Sequence, residues 1–250
     1  MKLRYERKYL VKNELLEPLR ERFMPFLLPD LYAIQHGFKS EYTVRSIYFD
    51  TPHFDALHEK TEGLENRIKL RIRGYNDYKP GEKVFLEIKR KLGNRIAKNR
   101  ALTLYEHLQE SLETGKLILN NEPISTKMHD DSMRFFYHLK REFRTPVNLV
   151  VYDREPYHGK INPGVRITFD KNIRASLFPS ITDLYSNNLL NYIWKDSFIL
   201  EIKYFDNGMP TWAQSIIQEF NLRHEALSKY VATFLTKEVS AYNLKTANIL

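Results

Sequence analysis

Arg67-Ile68-Lys69-Leu70-Arg71-Ile72-Arg73 alternates four cations with three aliphatic side chains. Leu86-Glu87-Ile88-Lys89 and Leu200-Glu201-Ile202-Lys203 repeat the alternation, with a carboxylate two residues before a lysine. Side chains on a strand point to opposite faces with period two, so each run has one ionic face and one apolar face. Such ionic faces can bind polyanions. Arginine offers permanently charged, bidentate contacts to phosphate oxygens, and lysine a compact point charge that can follow a moving chain. A single run fits a sheet with one face in water. Several runs mixing Arg, Lys and Glu also fit ionic faces that line one shared cavity.

Other chemistries have no foothold in the chain. There is no Gly-x-x-x-x-Gly-Lys-Ser/Thr loop, no Gly-x-Gly-x-x-Gly and no His-Glu-x-x-His, which sets aside P-loop, Rossmann and zincin sites. The eight histidines are scattered, and none has a metal-ligand spacing. Without cysteine there is no disulfide framework, thiolate metal site or cysteine nucleophile. The formal charge of +8 points to anionic partners, and charge alone does not choose among nucleic acid, phosphates and an acidic membrane surface. Against RNA, no aromatic-rich or Gly-x-x-Gly segment interrupts the basic runs.

Eight segments that must position these residues read as strands: 5–11, 43–49, 66–75, 83–91, 96–103, 148–157, 165–173 and 198–204. Lys79-Pro80-Gly81-Glu82 and Leu92-Gly93-Asn94-Arg95 are turn sequences, so the third to fifth strands are expected to form an antiparallel meander. Helical spacing marks 13–27, 104–114, 130–143, 211–220 and 228–242, with Thr103 and Ser228 as expected N-caps. With 250 residues, 42% hydrophobic, and no linker or repeat, one domain over 1–250 is expected. The expected fold is α+β: an antiparallel β-barrel, helices on its aliphatic outer face and charges inside. No run approaches the roughly 18 apolar residues that span a bilayer, and Met1-Lys2-Leu3-Arg4-Tyr5-Glu6 turns charged too soon for a signal peptide. A soluble, cytoplasmic protein is expected.

Taken in order, Tyr5-Glu6-Arg7-Lys8-Tyr9, Ser46-Ile47-Tyr48-Phe49-Asp50-Thr51, Arg71-x-Arg73, Glu87-x-Lys89, Tyr152-x-Arg154, Arg166, Glu201-x-Lys203 and Ser228-Lys229-Tyr230 resemble the catalytic domain of the VTC (vacuolar transporter chaperone) polyphosphate polymerases. These belong to the CYTH-like triphosphate tunnel metalloenzymes. The resemblance runs from Tyr5 to about Tyr242. It implies an eight-stranded antiparallel tunnel that takes the triphosphate of ATP, with Mn²⁺ or Mg²⁺ held by carboxylate. Motif by motif, it gives Lys8, Arg71, Arg73, Lys89, Lys98, Arg154, Arg166, Lys203 and Lys229 phosphate-facing roles, with Arg100 beside Lys98. Glu201 would hold the metal, with Glu6 and Glu87 next in line, and Tyr152 and Ser228 would donate hydrogen bonds to phosphate. The superfamily's Glu-x-Glu-x-Lys appears here as Arg4-Tyr5-Glu6-Arg7-Lys8. Losing the first carboxylate fits the polymerase branch better than a two-metal hydrolytic site.

The implied activity is transfer of the terminal phosphoryl group of ATP to a phosphate or polyphosphate end. Its rivals are a triphosphatase or polyphosphate hydrolase on the same tunnel, and a non-catalytic module that binds polyphosphate or inositol phosphates. Phosphoryl transfer needs alignment and charge neutralisation more than covalent help from the protein. An anionic phosphate acceptor needs no general base, which suits a chain without a His/Asp dyad. Lys98 and Arg100 are expected to extend the cation path toward the exit for product, and Lys69 to line the nucleotide end. The partners expected are ATP, phosphate or polyphosphate, and a membrane protein for export that would place the chain at the inner membrane's periphery; no nucleic acid is expected.

Overall fold

A computed structural model describes residues 4–36, 39–92, 95–119, 123–205 and 208–236. In chain order the elements are β1 (Arg4–Lys12), α1 (Leu16–Phe23), β2 (Leu27–Pro29), α2 (Leu31–His36), β3 (Tyr42–Asp50), α3 (Asp55–Thr61), β4 (Arg67–Tyr75), β5 (Lys83–Leu92) and β6 (Arg95–Leu104). They continue as α4 (Leu108–Thr114), α5 (Thr126–Arg141), β7 (Thr145–Gly159), β8 (Arg166–Leu177), β9 (Asn191–Tyr192), β10 (Ser197–Phe205), α6 (Thr211–Glu219) and α7 (Lys229–Leu235). The eight long strands fall where the alternating runs place them, and β2 and β9 are short additions. The described pairings are antiparallel and helices accompany them, so the α+β class holds. Among the described residues no helix is long and apolar enough to cross a membrane.

The chain divides into two compact units, each built from three segments: 1–43, 152–174 and 192–229 in the first, and 44–151, 175–191 and 230–250 in the second. The first unit has strand order β1-β10-β8-β7, with β2 on β7 and β9 on β8. Its core takes one face of these strands, through Tyr9, Val11, Phe198, Leu200, Ile202, Ile167 and Phe169, against Leu19 and Phe23 of α1 and Ala213 and Ile216 of α6. Phe23 meets Phe169 edge-on at 6.2 Å, a geometry aromatic pairs favour.

The second unit has the order β7-β3-β4-β5-β6. Ile47, Phe49, Leu70, Ile72, Leu86, Ile88, Leu149 and Val151 form its apolar face against Phe135, Phe136 and Leu139 of α5. Those three recur at helical spacing on one side of α5, and Ser125 caps the helix by accepting from the Met128 amide at 3.3 Å. The turn between β4 and β5 has Pro80 followed by Gly81 at φ +79°, with the Glu82 amide donating to the Lys79 carbonyl at 3.0 Å. A glycine is needed at that positive φ. Gly93 and Asn94 of the next turn lie outside the described residues, as does the 237–242 stretch of the expected last helix.

Several expected elements are corrected. The 13–27 helix is three pieces: 3-10 turns at Asn13–Leu15 and Met24–Phe26 flank α1, and Leu27 already opens β2. Pro25 has no amide to continue the α pattern. Thr103 caps nothing. It is buried in β6, donating to the Ile118 carbonyl at 2.9 Å, and a 3-10 turn at Tyr105–His107 separates it from α4. The short helices α2 and α3 and the 3-10 turn Ile181–Tyr185 were not foreseen. In α2 and α3 only one residue each, Ala33 and Ala56, is buried, so there is no apolar stripe to read.

What holds α3 instead is Asp50. Its carboxylate, fully buried, accepts from the amides of Thr51 (2.8 Å), Ala56 (2.9 Å) and Leu57 (3.1 Å) and from the Tyr230 hydroxyl. Asp50→Ala strands all four donors and is expected to cost about 2–4 kcal/mol in urea unfolding, a lost cap plus buried donors left unmet. A change under about 0.5 kcal/mol counts against this role.

Candidate functional site

Strand register turns the charged runs into rows. In the second unit, Tyr48, Arg71, Glu87 and Arg100 lie side by side across β3, β4, β5 and β6. The row on one side holds Lys69, Lys89 and Lys98; the row on the other holds Ser46, Arg73, Phe85 and Leu102. The aliphatic residues between them point into the core, so this ionic face follows directly from the period-two pattern.

Glu87 organises the face. It is 1% exposed; one oxygen takes Arg71 at 2.7 Å, and the other takes Lys98 at 2.7 Å and Arg100 at 2.6 Å. Arg73 lies 3.8 Å away. Burial pushes the Glu87 carboxyl up, but Arg71, Arg73, Lys98 and Arg100 together overcome this and hold it well below the usual carboxylate range. Both oxygens are thus engaged by cations, and the geometry makes Glu87 a counter-ion. Asp131 of α5 supports the row from behind, accepting from the Arg100 amide at 3.1 Å and from Asn99 at 2.6 Å. Lys69 stands 5.1 Å from the centre of the Tyr230 ring and shares its row with Lys89 and Lys98, so it groups with the lysine end.

In the first unit the rows are Glu6, Lys203 and Arg166, then Lys8, Glu201 and Thr168, on β1, β10 and β8. Glu201 is 4% exposed and pairs with Lys203. Burial alone would raise its pKa; Lys203, Lys8, Arg154 and Lys229 lower it well below the usual range. Lys203 is also 3.8 Å from Glu6, and Glu6 is 2.8 Å from Lys8. Two residues beyond Thr168 on β8, fully buried Asp170 receives Arg154 through two bonds (2.7 and 2.8 Å) and Lys229 at 2.6 Å. Burial raises Asp170; Arg154 and Lys229 outweigh it, and the carboxyl is depressed. Both cations also lie over the Tyr152 ring, at 5.2 and 4.6 Å from its centre. Arg166 is 3.3 Å from Asp30, and Ser228 directly precedes α7, which begins at Lys229.

Asp170 was absent from the sequence reading, yet its signal was there: Arg166, Thr168 and Asp170 have the same strand parity. Arg45 was missed as well. It is buried, with its guanidinium donating to Asn76 and Ser186 carbonyls and to Asp77 and Asn187 side chains, and no alternating run announces it. Among the described residues no group of three or more metal-ligating side chains is present. Glu201 and Glu6, flanking Lys203, fit a cation that takes only one or two carboxylates and completes its shell with phosphate oxygens, as Mg²⁺ commonly does.

A family model for the VTC domain matches residues 3–236. Among solved structures the chain is similar to a proposed adenylyl cyclase from Hippeastrum described as having a dominant triphosphatase activity. The two are 14% identical, with 94% of this chain and 95% of that chain covered at a TM-score of 0.49. It is also similar to a proposed adenylate cyclase from Bacillus halodurans, at 13% identity, coverage of 91% and 94%, and TM-score 0.47. The mimivirus capping enzyme triphosphatase follows at 11% identity, coverage of 87% and 89%, and TM-score 0.30. No curated protein matches.

Lys98 gives the second-unit face a pH dependence. Its side chain is 44% exposed, but the ammonium is drawn down onto Glu87, and burial there, with Arg100 and Arg71 adding, presses it to about 8 against the pull of Glu87. A cation with a lowered pKa loses its charge as pH rises through that value. Affinity for tripolyphosphate is therefore expected to weaken above pH 8, by up to about tenfold per unit. Lys98→Arg should flatten that step in a calorimetric titration, and a step that survives the substitution assigns it to another group.

Proposed function

The chain belongs to the VTC domain family, and from that premise we propose that it is an ATP-dependent polyphosphate polymerase. It would transfer the terminal phosphoryl group of ATP to the end of a phosphate chain and release ADP. The observation that carries this reading is the surplus of cations around the buried carboxylate of the second unit's ionic face, Glu87. Glu87 is matched by Arg71, Arg73, Lys98 and Arg100, with Lys69 and Lys89 in the adjoining row. A structural ion pair needs one partner. A face with several cations per carboxylate, held in register, suits a substrate with many negative charges.

The chemistry expected of these residues is positioning and neutralisation. Arg71, Arg73 and Arg154 offer planar, permanently charged donors to phosphate oxygens, with Tyr152 supporting Arg154 from below. Lys89, Lys98, Lys203 and Lys8 add point charges along the strands, Lys229 adds one from the first residue of α7, Arg166 extends the Lys203 row, and Ser228 directly precedes α7. The attacking oxygen is already anionic, so the side chains bind and align it without removing a proton. A Mg²⁺ or Mn²⁺ ion on Glu201, with Glu6 the nearest second carboxylate, would supply further neutralisation across the phosphate oxygens. A cytoplasmic site of action, with the product passed to a membrane protein, belongs to the same reading.

Incubation with ATP and Mn²⁺ should give a phosphatase-sensitive polyphosphate ladder on a gel and ADP by phosphorus NMR. Inorganic phosphate without a ladder means a hydrolase, and binding without turnover means a non-catalytic module. Arg71→Ala is expected to abolish the ladder with the fold retained, since Glu87 keeps three cations. Glu201→Gln should keep nucleotide binding within about tenfold but lose turnover, even with excess metal. Normal polymerisation by either variant counts against the assignment of that residue.

A further inference from the structure

The ionic face of the second unit is not uniform along its strands. At the lysine end, the Lys69, Lys89 and Lys98 row is followed by Arg67 and Lys91, which pair across β4 and β5. At the other end, beyond Arg73, the face becomes aromatic, with Lys83 the one cation of β4, β5 and β6 past the Phe85 row. Tyr75 and Phe85 are the only aromatic residues of β4, β5 and β6. Both have the parity of Arg71, Arg73 and Glu87, so they belong to the ionic face and not to the core packed by Val84 and Leu86. Their rings meet edge-on at 5.9 Å. The Arg100 guanidinium lies 4.3 Å from the centre of the Phe85 ring, donates to Glu87 at 2.7 Å, and reaches the Tyr75 hydroxyl at 3.4 Å. Its side chain is still 39% exposed.

An ion pair with Glu87 does not need a phenyl ring beneath the guanidinium, and Phe85 and Tyr75, partly buried, are not part of the apolar core of this unit. A layer of guanidinium on phenyl, edged by a phenol, is however the kind of surface against which nucleobases stack. We propose that Phe85, Tyr75 and Arg100 form a nucleobase-stacking platform, so that a nucleoside triphosphate lies along β4 and β5 with its base at this end and its phosphates toward the lysines. The inference rests on the reading of ATP as substrate and gives it a direction. Rows are two residues apart, or about 7 Å. From the Phe85 row, the Arg71 row is therefore one step away and the lysine row two, within the reach of an extended triphosphate. Stacking uses only the flat face that every base has, so the platform recognises the nucleotide class and not the base.

Calorimetric titration of ATP, GTP and tripolyphosphate into the intact protein and two variants tests this. Phe85→Leu keeps an apolar side chain but removes the ring, and Arg100→Lys keeps the charge on Glu87 but removes the plane. In Phe85→Leu ATP affinity is expected to fall roughly five- to tenfold while tripolyphosphate affinity stays within about twofold. In Arg100→Lys, whose cation also faces phosphate, the loss for ATP is expected to exceed the loss for tripolyphosphate by about threefold or more. In the unmodified protein ATP and GTP should agree within about threefold. Equal losses for ATP and tripolyphosphate overturn the platform, because the residues then serve only to position charge. Unchanged ATP affinity in both variants overturns it too, with ATP use untouched. If the unmodified protein binds tripolyphosphate but not ATP, the ATP reading fails and the platform fails with it.

Discussion

A buried carboxylate under more cations than it can neutralise is the interaction on which the rest of the structure depends. Near a surface, two like charges about 4 Å apart repel by roughly 4 kcal/mol, so Arg71, Arg73, Lys98 and Arg100 could not crowd one sheet face unaided. Glu87, 1% exposed, holds them. Its own burial is tolerable only because both oxygens are met by charged donors. Everything around it serves that arrangement: strand alternation presents the side chains, antiparallel register aligns them in a row, and Asp131 of α5 fixes the backbone of β6 at Arg100.

The first unit applies the same device with a different balance. Asp170 binds one arginine and one lysine, and Glu201 faces mostly lysines. Cations held bidentately are fixed in direction, as Arg154 is, whereas ammonium groups can swing between acceptors. A face with both kinds of cation can grip one phosphate and let its neighbours slide, which suits the addition to a growing chain proposed above. The carboxylates that order the cations also set a cost on binding, because an incoming polyanion must compete with them. Affinity then comes from the surplus charge and not from the whole set.

Much of this was legible in the sequence, for a physical reason. Strands β4, β5 and β10 alternate with period two, and a residue's side of the sheet is fixed by parity alone, so Arg71, Glu87, Lys89, Glu201 and Lys203 could be placed from the sequence. Parity with Arg166 puts Asp170 on the same side of β8, yet a lone aspartate between Phe169 and Lys171 draws no attention and the residue was missed. Three kinds of information were missing. Strand neighbours depend on register, so the sharing of Glu87 by Arg71 and Arg100, 29 residues apart in sequence, was invisible, and Glu87 read as a metal candidate. Helices held by a cap, such as α3 on Asp50, leave no apolar period. The ring of Tyr152 lies under Arg154 and Lys229, where the sequence suggested only its hydroxyl.

The most direct test of the central claim, that surplus cations on carboxylate-ordered faces are built for a polyanion, is the salt dependence of affinity for a polyphosphate of defined length. Each phosphate charge neutralised by a protein cation makes binding weaken with added salt. Plotted as the logarithm of the association constant against the logarithm of salt concentration, the predicted slope is steeply negative, with a magnitude of about three or more. A slope shallower than about one would contradict the claim, because the cations would then be spent on their own carboxylates and not on the ligand.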